Sequence, residues 1–176
     1  MSSLGMRAPL SRRQANLTGF LGCAGMMGFA LYAQYGLHLQ PCNMCILQRI
    51  AVIALGLVFL AAALHNADAL GSRLYAVAIA AVAAAGIAVS GRHVWMQMQP
   101  PGSLPSCGAD FFTMLDMLPV TQVVLKIWNG GGDCQTILWS LFGVSMPAWV
   151  LVGVSGLGLL GVGGNLIFAR ARAVPA

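Results

Sequence analysis

The sequence predicts an all-α membrane protein. A single domain over residues 1–176 forms a four-transmembrane-helix bundle, with a long outer loop that carries a short interfacial helix. Three observations predict this. The chain is 59% hydrophobic and only 7% charged, with a mean hydropathy of +0.81, whereas ordinary soluble proteins are about 25% charged. A soluble globule with so few charges would leave most of that apolar surface against water. Four segments are long and apolar enough to cross a bilayer, which takes about 20 residues. Finally, the arginines crowd one side of the topology that those segments define.

The spans follow in order. Residues 16–35 are apolar apart from Gln34. Residues 45–64 form a second span that carries Gln48 and Arg49 in its first turns. Residues 74–91 are alanine-rich, and residues 148–169 follow Pro147, a residue that favours a first helical turn. The outer loops are then residues 36–44 and 92–147. Arg7, Arg12, Arg13, Arg73, Arg170 and Arg172 flank spans on one side, against Arg92 and Lys126 on the other. Six against two places both termini and the short turn "HNADALGSR" in the cytoplasm, with the two longer loops outside. Arg12 and Arg13 before an apolar run also fit a signal peptide, but the run is span-length and no small-x-small cleavage site follows it.

Within the second outer loop, Val120, Val123, Val124 and Ile127 recur at helical spacing, with Thr121, Gln122 and Lys126 elsewhere on the wheel. An amphipathic helix lying flat on the membrane is expected here, with Trp128 at the interface. The stretch "NGGGD" (129–133) reads as a flexible lead into Cys134. Similarly, "PPGSLPSCG" reads as an extended, accessible setting for Cys107.

Charge and composition exclude several functions. The net charge of +5 flanks spans and forms no patch, so nucleic-acid binding is not expected. There is no glutamate, which leaves little for paired-carboxylate chemistry. Five cysteines are the distinctive inventory: Cys23 within the first span, Cys42 and Cys45 as a C-x-x-C, and Cys107 and Cys134 in the second outer loop.

Three readings compete for the four loop cysteines. A zinc site built from four cysteines usually shows two close pairs, and only one pair is close here. A c-type haem would need histidine where Ile46 stands. No metal is expected. Inert structural disulfides are the second reading, although a C-x-x-C bridge closes a loop too small to remove much unfolded-state entropy. Redox exchange is the third. A thiolate opening a helix sits near the helix's positive end, and Arg49 lies one turn beyond Cys45 on the same face. A charged arginine at that depth needs a partner or a task, and a Cys45 thiolate would supply one. Outward cysteines meet soluble thiols while Cys45 meets something dissolved in lipid, and the lipid-soluble redox carrier of that kind is a quinone.

The residues also carry a resemblance. "PCNMCILQR" resembles the P-C-x-x-C-x-x-Q/E-R segment of the DsbB family, bacterial disulfide-bond-formation proteins of the inner membrane. "GRHVWMQ", "PSCGADF", "GGGDC" and "GVSMPAW" resemble its later landmarks in order and spacing. The resemblance implies a quinone-dependent protein-disulfide oxidoreductase with a periplasmic DsbA-like thiol oxidase as partner. It further implies that Cys107, paired with Cys134, meets the partner's thiolate, and that Cys134 then attacks Cys42. Cys45 would be left as a thiolate beside a ubiquinone or menaquinone, with Arg49 supporting that contact. Met146, before Pro147, resembles the family's position near the quinone ring, and His93, at the end of the third span, is placed where it could touch the quinone headgroup. Their alternatives are a solvated interfacial histidine and a packing methionine. Cys23 reads as a small buried apolar residue. Asp110, Asp116 and Asp133 read as loop solvation, and no proton role is inferred for Gln48. Two other functions stand beside this one: a small four-helix transporter or channel braced by structural disulfides, and a carrier of reducing power across the membrane. The first would need polar groups along a pathway, and the second a cysteine pair near each face.

Overall fold

The computed structural model describes residues 11–106 and 108–171, with side chains described through residue 166. Cys107, the partner-facing cysteine implied above, lies outside the described residues, as do Arg7, Arg172 and the side chain of Arg170. Four helices are long and apolar enough to cross a membrane. These are α1 (Arg12–Tyr35), α2 (Asn43–His65), α3 (Ala69–Gln97) and α6 (Met146–Ala171). Between α3 and α6 lie α4 (Phe111–Met117), α5 (Val120–Asn129), a 3₁₀ turn at Gly132–Cys134, and a two-residue hairpin of β1 (Ser140–Leu141) and β2 (Val144–Ser145). α3 packs along α6 and α1 along α2, with α2 and α3 joining the two pairs.

The helices run past the expected spans because their caps, not their apolar content, set their ends. Ser11 caps α1 in a capping box: its hydroxyl accepts from the Gln14 amide at 3.3 Å, and its own amide donates to Gln14 Oε1 at 2.8 Å. Arg12 is thereby the first helical residue, and it is buried. Its Nη2 donates to the Asn66 carbonyl at 2.9 Å and to Asn66 Oδ1 at 3.1 Å, a cation against the carboxyl end of α2. Asp68 then caps α3 through the Gly71 amide at 2.9 Å. α3 has 29 residues, or about 43 Å at 1.5 Å per residue, well beyond the expected residues 74–91. The second long connection therefore begins after Gln97 rather than at residue 92, and Arg92 and His93 are helical.

The bundle core is a layer of Cys23, Val52, Leu55, Phe59, Ile79, Ala83 and Val154. Cys23 is buried as expected, and its Cβ fixes how closely Gly56 of α2 approaches α1. Phe59 is gripped between helices by Gly19 and Gly161, where an added Cβ would lie 2.6 Å and 2.4 Å from the ring. Nearer the Arg12 end, Asn16 and Asn165 exchange hydrogen bonds of 2.8 Å and 3.3 Å between α1 and α6. In apolar surroundings such a pair fixes which helix faces which.

A second core closes the opposite end. Met44, Met96, Phe111, Met114, Val123, Ile127 and Cys134 pack together there. Its members come from the first turn of α2, the last turn of α3, and α4, α5 and the 3₁₀ turn. This corrects the reading of α5. Val123 and Ile127 are fully buried in this cluster, while Val120, Val124 and Leu125 are exposed. Only part of the apolar stripe remains free. Asp110 is likewise more than loop solvation: it caps α4 through the Thr113 amide at 3.2 Å. The Thr113 hydroxyl and amide together hold its carboxyl below the ordinary range.

Gly161 and Gly163 separate packing from helix propensity. Gly161→Ala drives a methyl into Phe59 and is expected to destabilise the bundle by about 1–3 kcal/mol. Gly163, with nothing within 4 Å of an added Cβ, should instead gain about 0.5–1 kcal/mol as alanine. Unfolding midpoints in a denaturing-detergent titration should move in opposite directions.

Candidate functional site

The site begins at the turn into α2. Pro41 precedes Cys42, which occupies the N-cap position in extended geometry (φ −72°, ψ 169°) with no side-chain capping bond. Its sulfur is thus free to point along the helix, where Cys42 Sγ lies 3.2 Å from Cys45 Sγ. Among the described residues Cys23, Cys42, Cys45 and Cys134 are free thiols. The extra turns of α3 bring His93 to the same place. Its Nε2 is 3.7 Å from Cys42 Sγ, and its Nδ1 is 3.2 Å from the Gln48 side-chain amide. His93 and Gln48 are 2% and 4% exposed. The solvated histidine weighed above is therefore replaced by a buried one with a dedicated partner.

Cys134 arrives from the other direction. The "NGGGD" stretch is pinned rather than loose: the Gly131 and Gly132 amides both donate to the Pro105 carbonyl, at 3.0 Å and 3.1 Å. Gly131 has φ +140°, and an added Cβ would lie 2.7 Å from Met96 Sδ. Only glycine combines that backbone with that approach. One short turn later Cys134, 1% exposed, hydrogen-bonds Cys42 side chain to side chain. Bonds to Cys134 and Cys45, with burial behind them, hold the Cys42 thiol far above its ordinary range. The same Cys42–Cys134 bond lowers the Cys134 thiol against its own burial. Cys134 is the sulfur that ionises more readily, and it faces one that keeps its proton.

Arg49 finds its partners on α1. One Nη donates to Gln34 Oε1 and the other to the Ala30 carbonyl at 3.1 Å. The guanidinium hydrogen bonds thus cross to the neighbouring helix. Gln34, noted in the sequence only as a polar interruption, holds the arginine. Both Cys45 and Arg49 line a cavity of about 90 Å³ between α1, α2 and the start of α6. It is lined also by Met26, Met27, Val52, His93, Trp139 and Met146. Met146, the first residue of α6, is thus among the lining residues.

Sequence reasoning missed the pairing of Gln48 with His93 and the clasp of Gln34 on Arg49, because both join residues far apart along the chain. It also missed the β1–β2 hairpin. There Phe142 and Gly143 take positive φ (53° and 77°), and the Trp149 indole N–H donates to the Leu141 carbonyl at 3.3 Å. Phe142 is not a residue that favours the positive φ such a turn needs, so only Gly143 hinted at it.

A four-helix membrane bundle with a C-x-x-C at a helix start, a third cysteine bonded to it and a cavity alongside defines a membrane thiol–disulfide protein. Comparison places the chain more narrowly. Residues 12–163 match the family model described as disulfide bond formation protein DsbB. Similar proteins carry the name disulfide bond formation protein B. That of Methylococcus capsulatus is 46% identical over 84% of this chain and 90% of its own length. That of Nitrosococcus oceani is 42% identical over 86% and 89%, and that of Chromohalobacter salexigens 46% identical over 89% and 91%. The chain belongs to the DsbB family, as the motifs suggested.

Gly131 should govern the meeting of Cys42 and Cys134. In a chain with Cys45 and Cys107 replaced by serine, mild oxidation is expected to link Cys42 to Cys134. Gly131→Ala should slow that cross-link about tenfold, since a strained backbone position costs on the order of 1–3 kcal/mol. An unchanged rate would show that the glycine does not place the sulfur.

Proposed function

We propose that this chain reoxidises a periplasmic DsbA-like thiol oxidase and delivers the electrons to a membrane quinone, ubiquinone or menaquinone. The observation that carries the reading is the position of Cys42, in contact with Cys45 on one side and Cys134 on the other, beside a lipid-level cavity lined by Arg49. In this reading the chain lies in the bacterial inner membrane with both termini cytoplasmic and both cysteine-bearing loops periplasmic. The exposed apolar residues Val120, Val124 and Leu125 on α5 then rest against the lipid.

The exchange steps balance sulfur by sulfur. The partner's thiolate attacks Cys107 of a Cys107–Cys134 disulfide, forming a mixed disulfide and releasing Cys134 as a thiolate. Cys134 attacks Cys42 of the Cys42–Cys45 disulfide, forming a Cys42–Cys134 bridge and releasing the Cys45 thiolate. The partner's second thiol then resolves its bond to Cys107, leaving the partner oxidised. Cys107 attacks Cys134 to restore the outer pair, and Cys42 and Cys45 hold two electrons as a dithiol. The placement of Cys134 beside Cys42 supports its role as attacker, and it is released from the outer pair as a thiolate, the reactive form.

The cavity suits a quinone by its own chemistry. Its walls are largely apolar, and its polar end gathers Cys45, Arg49, Gln48 and His93, a good match for a flat ring with carbonyl acceptors. When bound, a quinone supplies a two-electron, two-proton acceptor at the depth of Cys45. Arg49 uses two of its five donors on α1, which fixes the plane of the rest. Gln48 fixes the ring of His93 in the lining.

Purified protein in detergent, given quinone and reduced DsbA-like protein, should reduce the quinone. Replacing any of the four loop cysteines by serine should stop turnover. Arg49→Ala is expected to slow quinone reduction by about tenfold or more, equivalent to 1.4 kcal/mol, while the mixed disulfide at Cys107 still forms at the normal rate. Arg49→Lys should fall between, since it keeps the charge and loses the planar fork. Normal quinone kinetics in Arg49→Ala would leave the arginine only a helix anchor and remove its place in the reading.

A further inference from the structure

We propose that the reduced site is also a metal site: Cys42, Cys45 and His93 bind one thiophilic divalent ion of the zinc type, which blocks the dithiol until it is chelated. Spacing along the chain argued against a metal because it counted cysteines alone. The fold supplies a third ligand that the spacing could not reveal. The two sulfurs and a His93 ring nitrogen all lie within 4.8 Å of one another. With zinc–sulfur bonds of about 2.3 Å and zinc–nitrogen bonds of about 2.0–2.1 Å, tetrahedral geometry puts sulfur and nitrogen roughly 3.5 Å apart and two sulfurs roughly 3.8 Å apart. Cys42 Sγ and His93 Nε2 are already 3.7 Å apart, and the sulfurs, at 3.2 Å, need only a small rotamer change to open.

Two further features suit a metal. A ligating imidazole usually donates its other N–H to an oriented acceptor, and His93 Nδ1 has the buried Gln48 amide at 3.2 Å. As placed, the Gln48 amide nitrogen faces Nδ1; turning the amide end for end puts its oxygen on Nδ1–H and frees the Nε2 lone pair for the metal. The cavity beside the trio leaves a fourth position for water or for Cys134, whose side chain already touches Cys42. Binding converts two thiols to thiolates and releases two protons. The ion's charge is then balanced by the two sulfurs, as a buried site requires. A disulfide offers no thiolate pair, so only the reduced state binds. While it does, the dithiol cannot pass on its electrons, so the Cys42–Cys45 disulfide does not re-form.

That binding does not depend on the quinone reading, whereas inhibition of turnover rests on it, and the test keeps the two apart. The full chain with Cys107 and Cys134 replaced by serine is reduced, and the reductant is removed without air. Cobalt(II) is then titrated as a coloured stand-in, with no quinone or partner present. One equivalent should give sulfur-to-cobalt charge-transfer bands and the visible bands of tetrahedral cobalt, which zinc bleaches. Cys42→Ser should abolish them and Cys23→Ser leave them unchanged. Gln48→Leu should weaken binding about 10–100-fold, the usual cost of losing a ligand's supporting bond. His93→Ala should weaken it at least as much. His93→Gln, which keeps a polar group for Gln48, serves if the alanine variant does not fold. Absence of the tetrahedral bands, or binding indifferent to both His93 substitutions, overturns the site. In the turnover assay zinc should then inhibit the unsubstituted protein reversibly on chelation. Cobalt binding without zinc inhibition overturns the block. Cobalt binding by a protein that never reduces quinone leaves the site standing and removes the functional reading instead.

Discussion

A dithiol at the start of a membrane helix can exchange with a distant cysteine only if the chain between them is brought back and held, and Met44 is what holds it. It lies between the two site cysteines on α2 and is fully buried against Met96, Phe111, Met114, Val123, Ile127 and Cys134. Burying a methionine side chain is worth about 1.5–3 kcal/mol, and its flexible thioether fills an irregular gap among four elements. Asn43, the residue before it, donates to the Ala109 carbonyl at 3.0 Å and ties the same turn to the segment that leads into α4. Arg92 closes the far side, donating to the Trp128 carbonyl at 3.0 Å and 3.2 Å while lying 4.1 Å from the Trp95 ring centroid. That places a cation at the carboxyl end of α5.

The second constraint is a charge inside an apolar bundle. An unpartnered guanidinium at that depth costs several kcal/mol, so the position of Arg49 dictates what α1 must present. α1 presents Gln34 and the Ala30 carbonyl, one turn apart, and the cavity wall between α1 and α2 follows from that clasp. At the other end Arg12 clasps the end of α2, and Asn16 pairs with Asn165. Polar contacts thus hold α1 at both ends, while the glycines around Phe59 settle its middle. Hydrophobic burial distinguishes little between helices surrounded by lipid, and hydrogen bonds and close packing set the arrangement instead.

The four spans were legible because an apolar run of membrane length has few other readings. Their ends were not, since Ser11 and Asp68 extend α1 and α3 through capping bonds that hydropathy does not register. The far end of α3, which continues through Gln97, matters most, because that continuation turns His93 from a loop residue into a buried one. The helical period of α5 was legible too, but a period shows only that an apolar face exists. Which part of that face is buried depended on Met44 and Met96, far away in sequence. "NGGGD" looked loose because glycine runs often are. Here the glycines permit a positive φ and a close approach to Met96, so the composition was right and its meaning reversed. The family resemblance marked the cysteines and Arg49, but the network around them is tertiary: Gln34 to Arg49, Gln48 to His93, and Cys134 to Cys42.

Cys42 is the common element in every chemistry available to this site. Its proton is shared toward the neighbouring sulfurs of Cys45 and Cys134, which raises the Cys42 thiol and, while both are thiols, lowers that of Cys134. Thiol exchange needs an attacking thiolate close to the sulfur it attacks, and the Gly131 turn meets that need without any helix moving. Metal binding needs soft ligands that converge with an open position alongside, and the same convergence meets it once the disulfide is reduced. On the two proposed readings the oxidation state of one bond decides between them, because closing the Cys42–Cys45 bond removes two ligands and creates the electrophile proposed for Cys134. If both proposals hold, the site is open to metal during the part of its cycle in which it holds electrons. A tenant of the neighbouring cavity that takes those electrons quickly also shortens that exposure.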